Sequence, residues 1–363
     1  MWDEFGASGM RGGLVARVRT VTQADVARAA RVSQGAVSSV LGQWSGRRLH
    51  ITSGTAERIR EVATELGYRP NAVARQLRGC NSKLLAILLG QGSPPILFER
   101  LWALEREVSR CGYRALIVQI DRNLARVQDH VDDLEARGVD GIVCMGHEYD
   151  ANPKAVPEML GRFRNVIYLR RPALDGAAWV HIDGAACMRQ AVAHLRERGR
   201  KRICVQIGDQ VHQAYTDRLE AYLSAIGEFA PDFGTELVWF GEDFGPLDPQ
   251  VPDAATAEKV VDRFVLERAA DALVLTNDHW AALMIKVLKQ RGLSVPGDVA
   301  VVGQGNFPVA TLVDPEITTL DPNTDDFART AISALVSRVE GKAIAASGQL
   351  ALIPPTLIVR NST

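Results

Sequence analysis

From Thr22 onward the apolar positions fall into helical spacing: Val26, Ala27 and Ala30, then Ala36, Val37, Val40 and Leu41. The Thr22 hydroxyl suits a helix N-cap, and Val32-Ser33 separates the two groups, so the pattern predicts two short helices joined by a tight turn. A third helix, from about Thr52 or Ser53, puts Ile59, Val62, Ala63 and Leu66 on one face and ends at Gly67. Tyr68-Arg69-Pro70 breaks the chain. Asn71 can then cap a fourth short helix, Ala72 to Arg78, before a Gly79-Cys80-Asn81-Ser82 linker. Residues 1–19 show no periodicity and contain Gly6, Gly9, Gly12 and Gly13, so they read as a disordered extension.

Beyond Ser82 the texture changes to short β-rich apolar runs alternating with amphipathic helices. The runs are Leu84 to Leu89, Ala115 to Gln119, Gly141 to Met145, Val166 to Leu169, Ile203 to Ile207, Leu237 to Phe240, Ala272 to Thr276 and Val299 to Val302. Such a βαβ rhythm implies doubly wound parallel sheets covered on both faces, and this many strands exceeds what one compact lobe needs. The expected fold class is therefore α/β, a two-lobed body with a cleft, preceded by an all-α helix-turn-helix domain. Residues 241–256 are acidic and proline-rich and read as a loop. The expected boundaries are an extension at 1–19, a head at 20–69, a hinge helix and linker at 70–82, and the body at 83–363.

Charge sharpens this division. Residues 1–82 carry twelve Arg against six Asp or Glu, whereas the remainder carries 30 basic and 37 acidic residues, so a net −1 conceals a basic head on an acidic body. That split points to a head that faces nucleic acid. No apolar run approaches the roughly 18–20 residues that span a bilayer. The N-terminal MWDEFGASGMRGG lacks a signal-peptide core, which predicts a cytoplasmic protein with no membrane partner. Five cysteines (Cys80, Cys111, Cys144, Cys187 and Cys204), widely spaced and without a CxxC, read as free thiols rather than disulfides or zinc ligands.

Candidate chemistry is scarce on the body and plain on the head. The sequence has no P-loop, HExxH, GxSxG or GxGxxG in strand-turn-helix context, so neither a catalytic site nor a cofactor or metal is expected. Cys144-Met-Gly-His147 and the adjacent Glu148 read as a strand end without chemistry. On the second helix, by contrast, Ser33, Gln34, Gly35 and Ser38 take the early positions from which a recognition helix reaches base edges. The Gln34 amide can pair bidentately with adenine, contributing about 1–3 kcal/mol of discrimination.

The run VTQADVARAARVSQGAVSSVL (21–41), followed by TAERIREVATELGYRPNAVARQLRGCNSKLLAI (55–87), resembles the DNA-binding head and hinge of the LacI/GalR family of regulators. The likeness continues through RGVDGIV (137–143), HID (181–183), HLRERGRKRI (194–203), RLEAY (218–222), TND (276–278), GLSVPGDVAVVG (292–303), DPEITTL (314–320) and the closing LIPPTLIVRNST. It implies a periplasmic-binding-protein-like body, homodimerisation, operator DNA as partner, and repression controlled allosterically by a small-molecule effector, a sugar or related metabolite. On this resemblance Thr22 joins the DNA-contacting set. Asn71, Ala74, Leu77 and Arg78 would belong to a hinge helix in the minor groove, with Leu77 as an apolar wedge. Effector contacts map onto Asp183, Arg218 and Asp278, with Asp243-Phe244 resembling a segment that stacks an aromatic ring on the ligand.

The departures are specific. Ser39 stands where the family commonly has Arg, and Gln43 to Ile51 is longer than usual, with Arg47 and Arg48 placed to restore backbone contacts. Gly184 replaces an Asn, and GQGN (303–306) replaces GFDD, which alters the usual sugar chemistry. The competing readings are an enzyme, a transported-solute receptor, or a cytoplasmic small-molecule-binding protein of the sugar-receptor fold without effector-controlled DNA binding.

Overall fold

The computed structural model describes residues 21–41, 51–69, 81–90, 95–121, 123–146, 152–207, 213–227, 235–240, 253–342 and 348–363, without the side chains of 95–96 and 213–216. Residues 1–19, Arg47, Arg48, the segment from Asn71 through Ala74 and Leu77 to Arg78, and Asp243-Phe244 lie outside these.

The chain divides into two compact units, Met1–Ser82 and Lys83–Thr363. In the first, helices α1 (Gln23–Ala29), α2 (Gln34–Leu41) and α3 (Ser53–Glu65) surround one small core. A capping box sets the start of α1: Thr22 Oγ1 accepts from the Asp25 N–H at 3.3 Å, and the Asp25 carboxylate accepts from the Thr22 N–H at 3.0 Å. Val26, Val37 and Ile59, one from each helix, are fully buried, so the three amphipathic stripes meet as their spacing requires. The turn between α1 and α2 uses Arg31 at φ 51°, a left-handed position with no glycine to advertise it. Gly67 ends α3 at φ 64°, where Tyr68 N–H bonds the Ala63 carbonyl at 2.8 Å. Leu66, expected on the buried face, caps the helix and stays 39% exposed.

The second unit holds two six-stranded sheets. One has the order β11-β5-β4-β3-β1-β2, comprising β1 (Leu84–Gly90), β2 (Arg114–Ile120), β3 (Gly141–Cys144), β4 (Val166–Tyr168), β5 (Ala178–Ile182) and β11 (Gly348–Ile353). The other has the order β12-β10-β9-β8-β6-β7, comprising β6 (Ile203–Ile207), β7 (Val238–Phe240), β8 (Ala272–Val274), β9 (Ala300–Gln304), β10 (Thr318–Asp321) and β12 (Thr356–Ile358). All pairings are parallel except β10 with β12. Parallel strands covered on both faces need apolar residues at every position, which is why the sequence shows runs rather than alternation. On β1, Leu85, Ile87 and Leu89 enter one core and Ala86 and Leu88 another.

The helices that cover the sheets are α4 (Pro95–Arg110), α5 (Leu124–Ala136), α6 (Ala155–Leu160), α7 (Gly184–Glu197), α8 (Gln213–Gly227), α9 (Ala254–Val260, continued by a π-helical segment, Val261–Glu267), α10 (Asp278–Gln290), α11 (Val309–Leu312) and α12 (Thr324–Val339). Sequence periodicity missed β5, β10, β11 and β12, the strands around the passage between lobes. Of these, β11 begins on Gly348 at φ 81° and is irregular at Gln349–Ala351.

On the outer face of the second sheet, Trp280 is fully buried and meets Trp239 edge to face, with ring centroids 5.0 Å apart. Trp280→Ala should cost about 3–5 kcal/mol, as large-to-small core substitutions do. Urea unfolding checks this, and a loss below about 1 kcal/mol would mean that the cluster is not packed as described.

Candidate nucleic-acid interface and ligand cleft

On the head, α2 is anchored by Val37, while Ser33, Gln34 and Gly35 are exposed and Ser38 is half-buried. Ser33 Oγ accepts from the Ala36 N–H at 3.1 Å, and the Thr22 hydroxyl is engaged in its own capping box, so both serve as caps in the free head. Gln34 is different. Its amide makes no hydrogen bond among the described residues, and it stands at the exposed first turn of α2.

In the body, topology determines where ligand groups can collect. The chain passes from the first sheet to the second at Asp183, after β5; returns at 322–323, between β10 and α12; and passes again at 354–355, between β11 and β12. Strands β5, β10 and β11 all run toward these crossings. Their parallel neighbours do the same, so the carboxyl edges of both sheets lie at the hinge, the edge where open α/β sheets bind ligands. The crossings are tied together: Asp183 N–H donates to the Ile353 carbonyl at 2.9 Å, Asn323 Nδ2 to the Pro354 carbonyl at 2.7 Å, and Gln190 Nε2 to the Pro355 carbonyl at 3.2 Å.

Asp183 caps α7, accepting from the Ala186 N–H at 2.8 Å, with an Arg189 guanidinium nitrogen 3.8 Å from its other oxygen. Arg218 lies on α8 and is 8% exposed. Burial pushes the Cys187 thiol up to about 11, against a downward pull from Arg218, with an upward push from Asp183 and a smaller downward pull from Arg100. Arg100, on α4, stands over the Phe327 ring at 5.5 Å. Within the amphipathic pattern of α4 it is one charge among several.

Asp278 has another setting. It opens α10, is fully buried, and accepts from Thr319 Oγ1 at 2.6 Å and from the Phe307 N–H at 2.7 Å. A Cβ at Gly303 would lie 2.1 Å from its Oδ1, so Gly303 is required for this packing. Burial raises its carboxyl above the ordinary 3.8, opposed by those two hydrogen bonds. Next to it, Asn277 caps α10 at the Trp280 N–H, 2.9 Å away, and Thr276 gives both its N–H and its hydroxyl to Gln206 Oε1, each at 3.0 Å. The TND segment is thus bound into its own lobe, and Gln206, buried in an otherwise apolar strand, was the missed partner. In the GQGN segment, Gly305 sits at φ 118°, and Asn306 donates to Asp321 at 3.0 Å while accepting from Arg360 at 2.7 Å.

This arrangement, a helix-turn-helix with an exposed second helix on the same chain as a two-lobed, hinge-crossed α/β body, is that of a class of DNA-binding regulator. Residues 22–71 match the bacterial regulatory proteins of the lacI family, and residues 192–363 match a periplasmic binding protein-like domain. The HTH-type transcriptional repressor PurR of Actinobacillus pleuropneumoniae serotype 3 is 25% identical over 344 residues, 93% of this chain and 97% of that repressor. A crystal structure of the lac repressor dimer with operator and the anti-inducer ONPF superposes with a TM-score of 0.78 at 21% identity, covering 95% of this chain and 99% of the other. The regulator CelR in complex with cellobiose gives 0.65 at 24% identity, over 94% and 100% of the two chains. The chain belongs to the LacI family of DNA-binding transcriptional regulators. Among the described residues no helix is long and apolar enough to cross a membrane.

Because the native state holds the Asp278 proton more tightly than the unfolded chain does, its contribution to stability is complete below the ordinary carboxylate range and is lost as pH rises through the raised native value. Asp278→Asn keeps the shape without a titrating proton. The stability advantage of wild type over this variant should therefore shrink as pH rises above the ordinary carboxylate range, by urea unfolding; a gap that widened with pH would contradict the assignment.

Proposed function

We propose that this protein is a homodimeric repressor in the cytoplasm, with no catalytic step and no cofactor, whose affinity for a pseudo-palindromic operator is set by a small polar metabolite bound between the lobes. What carries this reading is that one chain joins an unengaged recognition residue, Gln34, to a body whose sheet edges meet at a hinge. Two-fold symmetry in the protein calls for two-fold symmetry in the DNA. The basic head supplies phosphate contacts, so affinity falls steeply with salt. The expected DNA contacts are Thr22, Ser33, Gln34, Gly35 and Ser38, with Arg47, Arg48, Asn71, Ala74, Leu77 and Arg78 completing the set. Asp183, Arg218, Phe244 and Asp278 are assigned to the effector. The cellobiose complex of CelR supports a sugar-like ligand. For Asp278 that role is indirect, since its two oxygens already hold Thr319 and the Phe307 backbone.

Selection from random duplexes should return an enriched inverted repeat, and Gln34→Ala should relax preference at one position of each half-site, at a cost of about 1–3 kcal/mol there. Enrichment of no symmetric site would refute sequence-specific reading by a dimer. Leu77→Ala should reduce DNA bending in a circular-permutation gel shift; an unchanged bend and affinity would remove the wedge. Arg218→Ala should abolish ligand-dependent change in operator affinity in a protein whose thermal unfolding shows it folded, because no apolar side chain replaces a bidentate guanidinium.

A further inference from the structure

The loop after β9 lies at the carboxyl edge of its sheet, and one side chain ties it to the hinge. Asn306 takes the left-handed region at φ 52°, which asparagine accepts more readily than most residues. Its backbone N–H bonds Thr319 Oγ1 at 3.3 Å, and the Phe307 N–H bonds Asp278 at 2.7 Å, so the loop backbone is held within the second lobe. Its side chain joins two charged partners. Oδ1 accepts from an Arg360 guanidinium nitrogen at 2.7 Å, and Nδ2 donates to Asp321 Oδ2 at 3.0 Å. Arg360 is fixed in turn by donating to the Ile317 carbonyl at 2.7 Å. The other Asp321 oxygen accepts from the Asn323 N–H at 2.8 Å, and Asn323 Nδ2 reaches the Pro354 carbonyl at 2.7 Å and Thr356 Oγ1 at 3.1 Å. A continuous series of hydrogen bonds therefore runs from Arg360 through the loop to two of the three crossings. It also lies where the lobes face each other, since Asn306, Asp321 and Asn323 line one crevice with Glu99, Trp102 and Arg106 of α4.

The partners dictate what can stand at 306. A guanidinium only donates and a carboxylate only accepts, so the residue between them must accept on one side and donate on the other. An amide does both. Aspartate, which the GFDD pattern places at this position, would keep Arg360 but set two carboxylates against each other. All four residues are half-buried, where a bond left unmade is only partly replaced by water. Rearrangement of the lobes turns the backbone at 322–323 and 354–355, and Asn323 spans both crossings. Asp321 holds Asn323, and Asn306 orients Asp321.

We propose that Asn306 is a positioning residue for the regulatory switch: through Asp321 and Asn323 it sets the hinge, and with it the lobe arrangement that fixes operator affinity. This rests on the reading that the body controls the head, and it assigns that control to one amide in the body.

The test compares full-length wild type, Asn306→Asp, Asp321→Asn and the double variant, with no ligand added. Two quantities are read: amide hydrogen exchange in peptides spanning Asn323, and affinity for the duplex that wild type selects from random sequence. Asn306→Asp opposes two acceptors and Asp321→Asn opposes two donors, so each breaks the same link. In the double variant the carboxylate at 306 accepts from both Arg360 and the amide at 321, whose oxygen accepts the Asn323 N–H, and every bond returns. Each single variant should speed exchange and shift operator affinity by about tenfold, both in the same direction. The double variant should return to within about twofold of wild type. Tyr222→Phe removes a buried hydrogen bond elsewhere in the second lobe and should leave operator affinity unchanged, which separates the hinge from general loss of stability. Single variants that bind operator as wild type does, or a double variant that fails to recover, overturn the proposal alone. A wild type that selects no duplex defeats the functional reading and the proposal with it.

Discussion

The body is governed by its hinge. The chain crosses between sheets three times, each time through one or two residues, and proline occupies positions 322, 354 and 355 in two of the crossings. Proline fixes φ and gives up its N–H, so these positions are stiff and donate no backbone hydrogen bond to either sheet. Side chains supply the ties instead. Asn323, at φ 51°, reaches the Pro354 carbonyl and Thr356 Oγ1 with its amide while its own N–H bonds Asp321 at 2.8 Å. Asparagine is one of the few residues that accept this backbone conformation and can still bridge two neighbouring strands.

A stiff hinge matters because it limits what the lobes can do. The second lobe is internally braced: Asp278 bolts the start of α10 to β10 and the β9–α11 loop, Gln206 holds the Thr276 turn, and Tyr222 donates its hydroxyl to the Ile203 carbonyl at 2.7 Å. Rearrangement is therefore concentrated at the few crossing residues, as expected where elements that move rigidly are joined by short segments. A ligand that touched both lobes would bias their relative position directly. A hundredfold change in operator affinity requires about 2.7 kcal/mol of differential binding, which a pair of charge-assisted hydrogen bonds can supply.

Much of the fold was legible because its determinants are local. The Thr22–Asp25 capping box, the Val26/Val37/Ile59 stripes and the Gly67 stop each lie within a few residues of the element they define. Central parallel strands announced themselves as apolar runs. Four strands around the hinge did not, among them β5 and β11, which pair with each other some 170 residues apart in the chain. The site divided in the same way. Asp183, Arg218 and Asp278 were nominated by motifs, but that Asp278 is engaged by Thr319, 41 residues on, and constrained by Gly303 depends on tertiary packing no motif records. Arg100 carries no local signal for its contact either, since its place over the Phe327 ring follows from where α4 meets α12.

The central claim is that the cleft and the operator-binding head share one equilibrium, and linkage gives it a direct test. Titrate operator duplex by fluorescence anisotropy with and without a saturating amount of the tightest-binding sugar or related metabolite, then titrate that ligand by calorimetry with and without saturating operator. Thermodynamic reciprocity requires the same factor in both directions. Equal factors, well away from one and lost together in Arg218→Ala, are what the hinge account predicts; ligand affinity that is identical on free and operator-bound protein would contradict it.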